Sequence, residues 1–598
     1  MTDEPALRLS LTANGTVLAE TSPEHISLLR RVQLDFPSAE AFARNAFEVD
    51  LGSLLGNLGA LAKWNVGTVE WSPRLRELAV AALDDADYLE HLRHERPAGE
   101  ADVTLEEDWR GNLTDFQDRD LRKLLGMRHG ANFSVPGAGK TRVALAFFSH
   151  LRRVGDISRA LVVAPKSAHE SWINEAREVF AEGRDIRIYS GGLAPECDVL
   201  IINYERLASS RLQLSAYLTR APTLLVLDEA HRMKRGANGV YGAVCLSLGP
   251  LARARLVLSG TPAPNGLSDL KSILEFVWPG RGSRLLGVGS ADWDSVSMTV
   301  KPLFTRTTKS ELGLPPLEVK TKTLELPPLH REIYDALLGQ MRVSVSSGER
   351  VDDLGRAIVY LLMAATSPAL LAVGSSQYEP LQFRVPPFQP PRSGLLRSLL
   401  AELPRYEMSP KLLEAARIAR ENAERGRKTL IWSTFIRNLS TLQTLIPELD
   451  PQLIAGATSD EDRGERLERF RTRPGTHVLL SNPATLGEGV SLHHECHDAV
   501  YIDRDFAAGR FLQSLDRIHR LGLAAGTQTR ATVLVSGSTI DELVAVRLAR
   551  KLAWMSDALD DSALSSLADL EEERESGGVL DASDAQAVWE YLGNRGRS

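Results

Sequence analysis

The sequence predicts two parallel α/β lobes in tandem, with a helical insertion between them and a small N-terminal α+β domain in front. Three observations predict this. Short, wholly apolar runs alternate with helical stretches in two separate blocks, as strands buried on both faces of a parallel sheet do. A helical, proline-ended stretch divides the blocks, and the N-terminal residues follow a different, alternating pattern.

At 598 residues the chain exceeds a single core and suggests roughly four domain-sized pieces. Residues 7–20 alternate around Asn14-Gly15, the signature of a hairpin, and residues 73–95 carry a helical pattern before a charged loop at 97–108. Residues 1–106 therefore form the N-terminal domain, whose role does not follow from its residues. Residues 107–325 form the first lobe. Its apolar runs are Ala160-Leu161-Val162-Val163-Ala164, Val199-Leu200-Ile201-Ile202, Leu224-Leu225-Val226-Leu227 and Leu256-Val257-Leu258.

Residues 326–400 are the helical insertion and linker, ending in a proline-rich segment at 380–391. Within it, residues 357–374 are apolar almost to membrane-spanning length, but Ser367-Pro368 interrupts them, which predicts a buried helix and turn. The second lobe, 401–545, has its runs at Thr429-Leu430-Ile431-Trp432, His477-Val478-Leu479-Leu480, Ala499-Val500-Tyr501-Ile502 and Ala531-Thr532-Val533-Leu534-Val535. The tail, 546–598, is helical and then acidic at 571–575.

Lys plus Arg is 70 and Asp plus Glu 78, a net charge of −8, which argues against coating nucleic acid through overall charge and leaves room for a local basic groove. With 13 Lys against 57 Arg, arginine richness is compositional and does not count as nucleic-acid contact. The three cysteines, Cys197, Cys245 and Cys496, are far apart and fit a reducing compartment. The start of the chain shows neither a basic nor a long apolar leader segment, so a cytoplasmic protein that does not engage a membrane is expected.

Ser134-Val135-Pro136-Gly137-Ala138-Gly139-Lys140-Thr141 precedes a helical pattern. Glycines let backbone N–H groups curl around phosphate oxygens, a helix N-terminus stands behind them, and Lys140 meets the β/γ charge. Thr141 would ligate Mg²⁺. Ser134 stands where the general pattern has glycine. Further on, Leu225-Val226-Leu227-Asp228-Glu229-Ala230-His231 delivers two carboxylates to the C-terminal edge of a strand, where α/β folds bind ligands. Asp228 would hold the Mg²⁺ shell and Glu229 would orient or polarise the attacking water. Gln513-Ser514-Leu515-Asp516-Arg517-Ile518-His519-Arg520-Leu521-Gly522 spaces two arginines three apart, on one face of a predicted helix. His493, His494, Cys496 and His497 lie too close together to wrap one tetrahedral ion, and a packed turn is expected there.

In this order the motifs resemble helicase superfamily two, and within it the Swi/Snf-like ATPases, from about residue 113 to 522. Phe116-Gln117 resembles the adenine-reading glutamine motif, and Leu161–Ser167 with Trp172 and Glu175 resembles motif Ia and its tryptophan helix. Ile202-Asn203-Tyr204-Glu205-Arg206-Leu207 is similar to the next motif. Ser259-Gly260-Thr261-Pro262 resembles motif III, which implies coupling of hydrolysis to lobe movement through Ser259, Gly260 and Thr261, with Gln513 in the second lobe. Arg306, Lys309, Leu326-Pro327 and Tyr334 resemble the Swi/Snf hinge. Lys411, Trp432-Ser433-Thr434-Phe435 and Gly456-Ala457-Thr458 resemble motif IV and its sequel, residues 481–492 with Gly487 and Gly489 motif V, and residues 513–522 motif VI.

The resemblance implies two RecA-like lobes with ATP and Mg²⁺ between them. Gln117, Pro136, Gly137, Ala138, Gly139, Lys140, Thr141 and Gly489 would hold the nucleotide, with Thr141 and Asp228 on the metal. Lys140, Asp228 and Glu229 would act with Arg517 and Arg520 as arginine fingers. Lys166, Ser167, Asn203, Ser433 and Ser491 would meet nucleic-acid phosphates without reading sequence.

The expected activity is an ATP-dependent translocase on duplex DNA. A strand-separating RNA or DNA helicase and a remodeller of a DNA-bound protein such as RNA polymerase stand as alternatives. The start of the phosphate loop and Asn482–Gly489 depart from eukaryotic remodellers and look more like bacterial relatives from anti-phage or restriction loci. The N-terminal domain is expected to recruit a protein partner.

Overall fold

The computed structural model describes residues 6–36, 38–94, 102–233, 236–260, 267–286, 300–309, 311–346, 351–379, 381, 383–403, 408–486, 490, 492–520, 522–524, 526–559 and 587–592. The chain divides into two compact units, Met1–Glu311 and Leu312–Ser598.

In the first unit, β1 (Leu7–Leu11) and β2 (Thr16–Thr21) form the expected antiparallel hairpin, with Gly15 in the turn at φ +76°. With β3 (Glu40–Ala43), β4 (Ala46–Asp50) and β5 (Val69–Trp71) they build a five-stranded sheet in the order β3-β4-β2-β1-β5. Alternation decides its faces: Leu7, Leu9, Val17 and Ala19 are buried while Arg8, Ser10, Leu18 and Glu20 are not. The helix Pro73–His94 comes next.

The second sheet of this unit contains β6 (Gly130–Asn132), β7 (Arg159–Val163), β8 (Ile186–Ile188), β9 (Val199–Ile202), β10 (Thr223–Asp228), β11 (Ala254–Leu258) and β12 (Phe304–Thr305). Their order is β12-β6-β11-β10-β7-β9-β8 and every pairing is parallel. All residues of β7, β9, β10 and β11 are buried, as their unbroken apolar runs predict. Each fully buried Leu, Val or Ile contributes about 1.5–3 kcal/mol relative to exposure.

The N-terminal sheet and helix dock on the edge of this second sheet where its parallel strands begin. Asp85, on the helix Pro73–His94, accepts from Arg255 at the start of β11 and from His129 just before β6, both at 2.8 Å. Gly56 and Gly280 face each other across the same seam. A Cβ on Gly56 would lie 2.5 Å from Gly280 Cα, so only two glycines allow the backbones to approach this closely.

The second unit holds β13 (Leu317–Leu324), β14 (Thr429–Trp432), β15 (Gln452–Ile454), β16 (Val478–Ser481), β17 (Asp498–Tyr501) and β18 (Thr529–Ser536). They form a parallel sheet in the order β13-β18-β17-β14-β16-β15. β13 corrects the reading that extended the first lobe to residue 325, because it pairs along its full length with β18. It is an edge strand with Lys320 and Lys322 in it, so no apolar run announced it.

Helices Pro328–Ser346 and Val351–Thr366 and the turn Pro368–Ala372 account for the predicted insertion and its apolar stretch. Tyr334 is fully buried there and accepts from the Ile540 N–H at 2.7 Å. The core of the unit gathers Leu412, Ala416 and Leu439 against Ile431, Leu480 and Val500. Among the described residues, no helix is long and apolar enough to cross a membrane.

Candidate nucleotide-binding site

The phosphate loop links β6 to the helix Lys140–Arg153. Gly139 caps that helix in the left-handed region at φ +77°, and Gly137 has φ +88°. Gln117 holds the loop from outside. It sits in a capping box at the start of the helix Asp115–Met127, and its Nε2 donates to Ala138 O at 3.1 Å. A Cβ on Gly139 would fall 2.3 Å from that nitrogen, so the glycine admits the glutamine as well as the turn.

Ser134, the departure from the general pattern, has a structural reason. Its hydroxyl donates to Asp120 Oδ2 at 2.8 Å and accepts from the Thr307 N–H at 2.8 Å. Asp120 also accepts from the hydroxyls of Thr305 and Thr307, so one buried carboxylate ties the start of the loop to the end of β12 and to Thr307 just beyond it. No local pattern in the sequence marks Asp120; the hydroxyl at position 134 is the one signal of it. Lys140 Nζ donates to Ser134 O at 3.0 Å, so its ammonium folds back over the loop. The hydroxyl of Thr141 has no protein partner among the described residues.

β10 carries Asp228 and Glu229 to the C-terminal edge of the sheet, beside this loop. Asp228 is buried; Trp172 Nε1 donates to its Oδ2 at 2.8 Å and the Glu229 N–H to its Oδ1 at 2.9 Å. Burial, reinforced by the negative charge of Glu229, pushes the Asp228 carboxyl above the usual carboxylate range. The Trp172 N–H, the Lys140 charge and the Glu229 N–H act against the rise. Two adjacent carboxylates under this strain, next to an unpartnered Thr141 hydroxyl, fit a hard divalent cation. Glu229 has φ +49°, a left-handed conformation uncommon for a non-glycine residue, and His231 Nδ1 lies 3.3 Å from its Oε2. Trp172 is the functional residue whose contact the sequence could not show: it reads as a helix residue, and only the fold brings it to Asp228.

Ser259 and Gly260 follow β11 next to the loop; the Ser259 N–H donates to Asn132 O at 3.1 Å, and a Cβ on Gly260 would meet Pro136 at 2.7 Å. Thr261 lies outside the described residues, as do Gly487, Gly489, Ser491 and the acidic stretch at 571–575. Lys166 is exposed after β7, and the backbone of Ser167 continues from it in the short helical turn Lys166–Ala168. Asn203 is half-buried after β9 and donates to Glu205 at 2.8 Å.

In the second unit, two expectations need correction. Arg517 and Arg520 do not share a helical face. The helix Ala508–Leu515, which carries Gln513, stops before them, and the chain continues in tight i→i+3 turns from Arg517 N–H to Ser514 O and from Ile518 N–H to Leu515 O. Arg517 is buried and donates to Val490 O at 2.9 Å and Gln513 O at 3.1 Å, tying the turn to the preceding motif. Arg520 is half-buried, and burial lowers its pKa against the opposing charge of Asp516.

Ser433 is not presented to a nucleic acid. It is fully buried and donates to Asp503, which also accepts from the Thr434 N–H at 2.6 Å. The hydroxyl satisfies a buried carboxylate, a role that a short polar residue after a strand does not announce. Lys411 is likewise buried and pairs with Asp541. In the histidine-rich turn, the buried Cys496 thiol points to the carbonyls of Lys428 and Asp498, and burial pushes its pKa up to about 12.

Residues 133–286 match the SNF2-related domain and residues 407–522 the helicase conserved C-terminal domain. A Xenopus tropicalis protein, SWI/SNF-related matrix-associated actin-dependent regulator of chromatin subfamily A containing DEAD/H box 1, is 24% identical over 468 residues, covering 68% of this chain and 46% of the relative. The ATP-dependent helicase FUN30 of Saccharomyces cerevisiae is 22% identical over 506 residues, covering 70% of this chain and 44% of the relative. Among solved structures, the Sulfolobus solfataricus SWI2/SNF2 ATPase core in complex with dsDNA matches with a TM-score of 0.34 and 20% identity, covering 79% of this chain and 97% of that one. The chain thus carries an SNF2-related domain followed by a helicase conserved C-terminal domain. It spans less than half the length of these two curated relatives.

Proposed function

We propose that this chain is an ATP-driven translocase that moves along duplex DNA without reading its sequence. The observation that carries the proposal is the C-terminal edge of the seven-stranded sheet, where Lys140 on a glycine-capped helix acts on Asp228, and Asp228 is hydrogen-bonded to Trp172 and adjoined by Glu229. Backbone N–H groups from Gly137 to Thr141 would receive the phosphates, with Lys140 neutralising their charge. Thr141 and Asp228 would hold Mg²⁺, which when bound supplies charge neutralisation at the β and γ oxygens. Glu229, held in an unusual left-handed backbone conformation, would orient the attacking water. Gln117 latches the loop and reads the adenine.

Arg517, which donates to the Val490 and Gln513 carbonyls, and Arg520 remain the proposed arginine fingers. Lys166, Ser167, Asn203 and Ser491 remain proposed phosphate contacts, and Ser259, Gly260, Thr261 and Gln513 the proposed coupling group. The bacterial, defence-associated subtype rests on the variant stretches at Ser134–Pro136 and Asn482–Gly489. A protein partner at the N-terminal domain belongs to the same proposal.

The test measures hydrolysis with duplex DNA, single-stranded DNA and RNA, alongside triplex displacement and fork unwinding. Stimulation by duplex that weakens with salt, with triplex displaced and forks intact, is expected. Stimulation by RNA alone, or fork unwinding without triplex displacement, would replace the translocase with a strand-separating helicase.

A further inference from the structure

The stretch that leads into the proline-rich segment folds back onto the sheet of the second unit. Its feet are pinned to one another and to the helical insertion. The Ser375 N–H donates to Val385 O at 2.8 Å and the Val385 N–H to Ser375 Oγ at 2.7 Å. Tyr360, on the helix Val351–Thr366, donates its hydroxyl to Pro386 O at 2.9 Å. Between these feet, Tyr378 and Glu379 reach the ends of three neighbouring strands, β14, β16 and β15.

A different contact meets each strand. Past β14, the Ile436 N–H opens the helix Ile436–Leu445 and donates to Glu379 Oε1 at 3.1 Å. Past β16, Asn482 Nδ2 donates to Tyr378 O at 3.3 Å. Past β15, Gly456 faces the Tyr378 side chain, and a Cβ there would lie 3.1 Å from Tyr378 Cβ. These points lie in or directly after the segments that resemble motif IV, motif V and the sequel of motif IV. Glu379 is 8% exposed, and its Oε2 accepts from the Ser376 N–H at 2.9 Å, so its own turn aims it at the helix start. Burial, then the nearby charge of Asp503, raises its pKa against the pull of the two N–H groups, so the charged form is held under opposition. A carboxylate accepting from the backbone at a helix start makes the contact by which such a start holds a phosphate.

We propose that Tyr378 and Glu379 form an autoinhibitory strap over the nucleic-acid face of the second lobe, and that the Glu379 carboxylate yields the Ile436 N–H to a phosphate when duplex DNA binds. On the translocase reading, on which this rests, the ends of β14, β16 and β15 meet the DNA backbone. The chain then spends part of its time with that face covered by its own carboxylate, and its apparent affinity for DNA is lowered by that fraction.

The experiment measures binding of a fluorescent duplex of about 30 base pairs to the full chain by anisotropy, without nucleotide, at about 0.1 M salt. E379Q keeps the shape and an acceptor for the Ile436 N–H and removes the charge that competes with phosphate. It should bind duplex about fivefold or more tightly than the unsubstituted chain. E424Q removes the same charge from an exposed residue ahead of β14, at the other end of that strand, and should change affinity by less than about twofold. Relief of a few tenths of an ångström brings the Cβ atoms of Y378C/G456C to the roughly 3.5–4.5 Å of a disulfide. Oxidised, this variant should bind duplex about tenfold or more weakly than the same protein after reduction. Melting temperatures within a few degrees of the unsubstituted chain show that the variants are folded, and the oxidised-against-reduced comparison carries the test if E379Q does not fold. E379Q binding no more tightly than the unsubstituted chain, or the double variant binding alike in both states, overturns the strap and leaves Glu379 a helix cap. Duplex left unbound by the unsubstituted chain and E379Q alike overturns the translocase reading as well.

Discussion

The two edges of the seven-stranded sheet each meet an aspartate, the buried Asp228 and the half-buried Asp85, and they treat them in opposite ways. At the edge where the strands end, Asp228 faces Glu229, and burial together with that like charge pushes its pKa up. At the edge where the strands begin, burial again raises Asp85, but His129 and Arg255 outweigh it and hold the carboxyl well below the usual range. In the first arrangement burial and the Glu229 charge outweigh the Lys140 charge, a balance that a bound cation would relieve. The second is neutralised within the protein and fastens the N-terminal domain to the lobe. Burial alone therefore does not mark a functional carboxylate; what distinguishes the two is whether the protein's own cations outweigh it, as at Asp85, or do not, as at Asp228.

The comparison can be broken most severely at the catalytic edge. Glu229→Gln keeps the shape and removes the charge, so nucleotide binding by equilibrium titration should persist while hydrolysis falls by about a thousandfold. Arg520→Ala should lower DNA-stimulated turnover by about a hundredfold or more and leave DNA affinity, read by filter binding, unchanged. At the opposite edge the readout is stability. Asp85→Ala strands the buried Arg255 guanidinium and should cost about 3 kcal/mol in denaturant unfolding, whereas a catalytic substitution there costs little.

The smallest effect is in pH dependence. Burial, then the charge of Arg255, lowers His129 from 6.5 to about 4, against the pull of Asp85. At neutral pH the ring is therefore uncharged and donates from Nε2 to Asp85. Between pH 6.5 and 4 the unfolded chain binds a proton that the folded chain refuses, so stability falls as pH falls through this window. His129→Gln, which keeps a donor and cannot titrate, should flatten this loss in thermal melts taken from pH 7 to 4.5.

Much of the catalytic edge was legible because its signals are local. β7, β9, β10 and β11 each contain an unbroken apolar run, and Gly137-Ala138-Gly139-Lys140 states its own turn and helix start. Elements without a local signal were missed. β6 is Gly130–Asn132, with no apolar run, and β13 alternates lysines because it lies at an edge.

Roles set by distant partners were also hidden. The Trp172 indole reaches Asp228 across 56 positions, Ser433 is claimed by Asp503 across 70, and Asp120 gathers Ser134, Thr305 and Thr307. The arginine pair at 517 and 520 was placed on a helix because three-residue spacing suits one; i→i+3 bonds after Leu515 tighten the chain instead. The seam escaped entirely, since a pair of glycines and an Asp-Arg contact spanning 170 positions leave no periodicity to read.

The account rests on the phosphate loop and β10 forming one working edge. Steady-state ATP hydrolysis by Lys140→Ala, measured with saturating duplex DNA beside the unsubstituted chain, tests this most directly. Turnover reduced to the no-enzyme background, with an unchanged melting temperature, is the predicted result. Hydrolysis at the rate of the unsubstituted chain would contradict it.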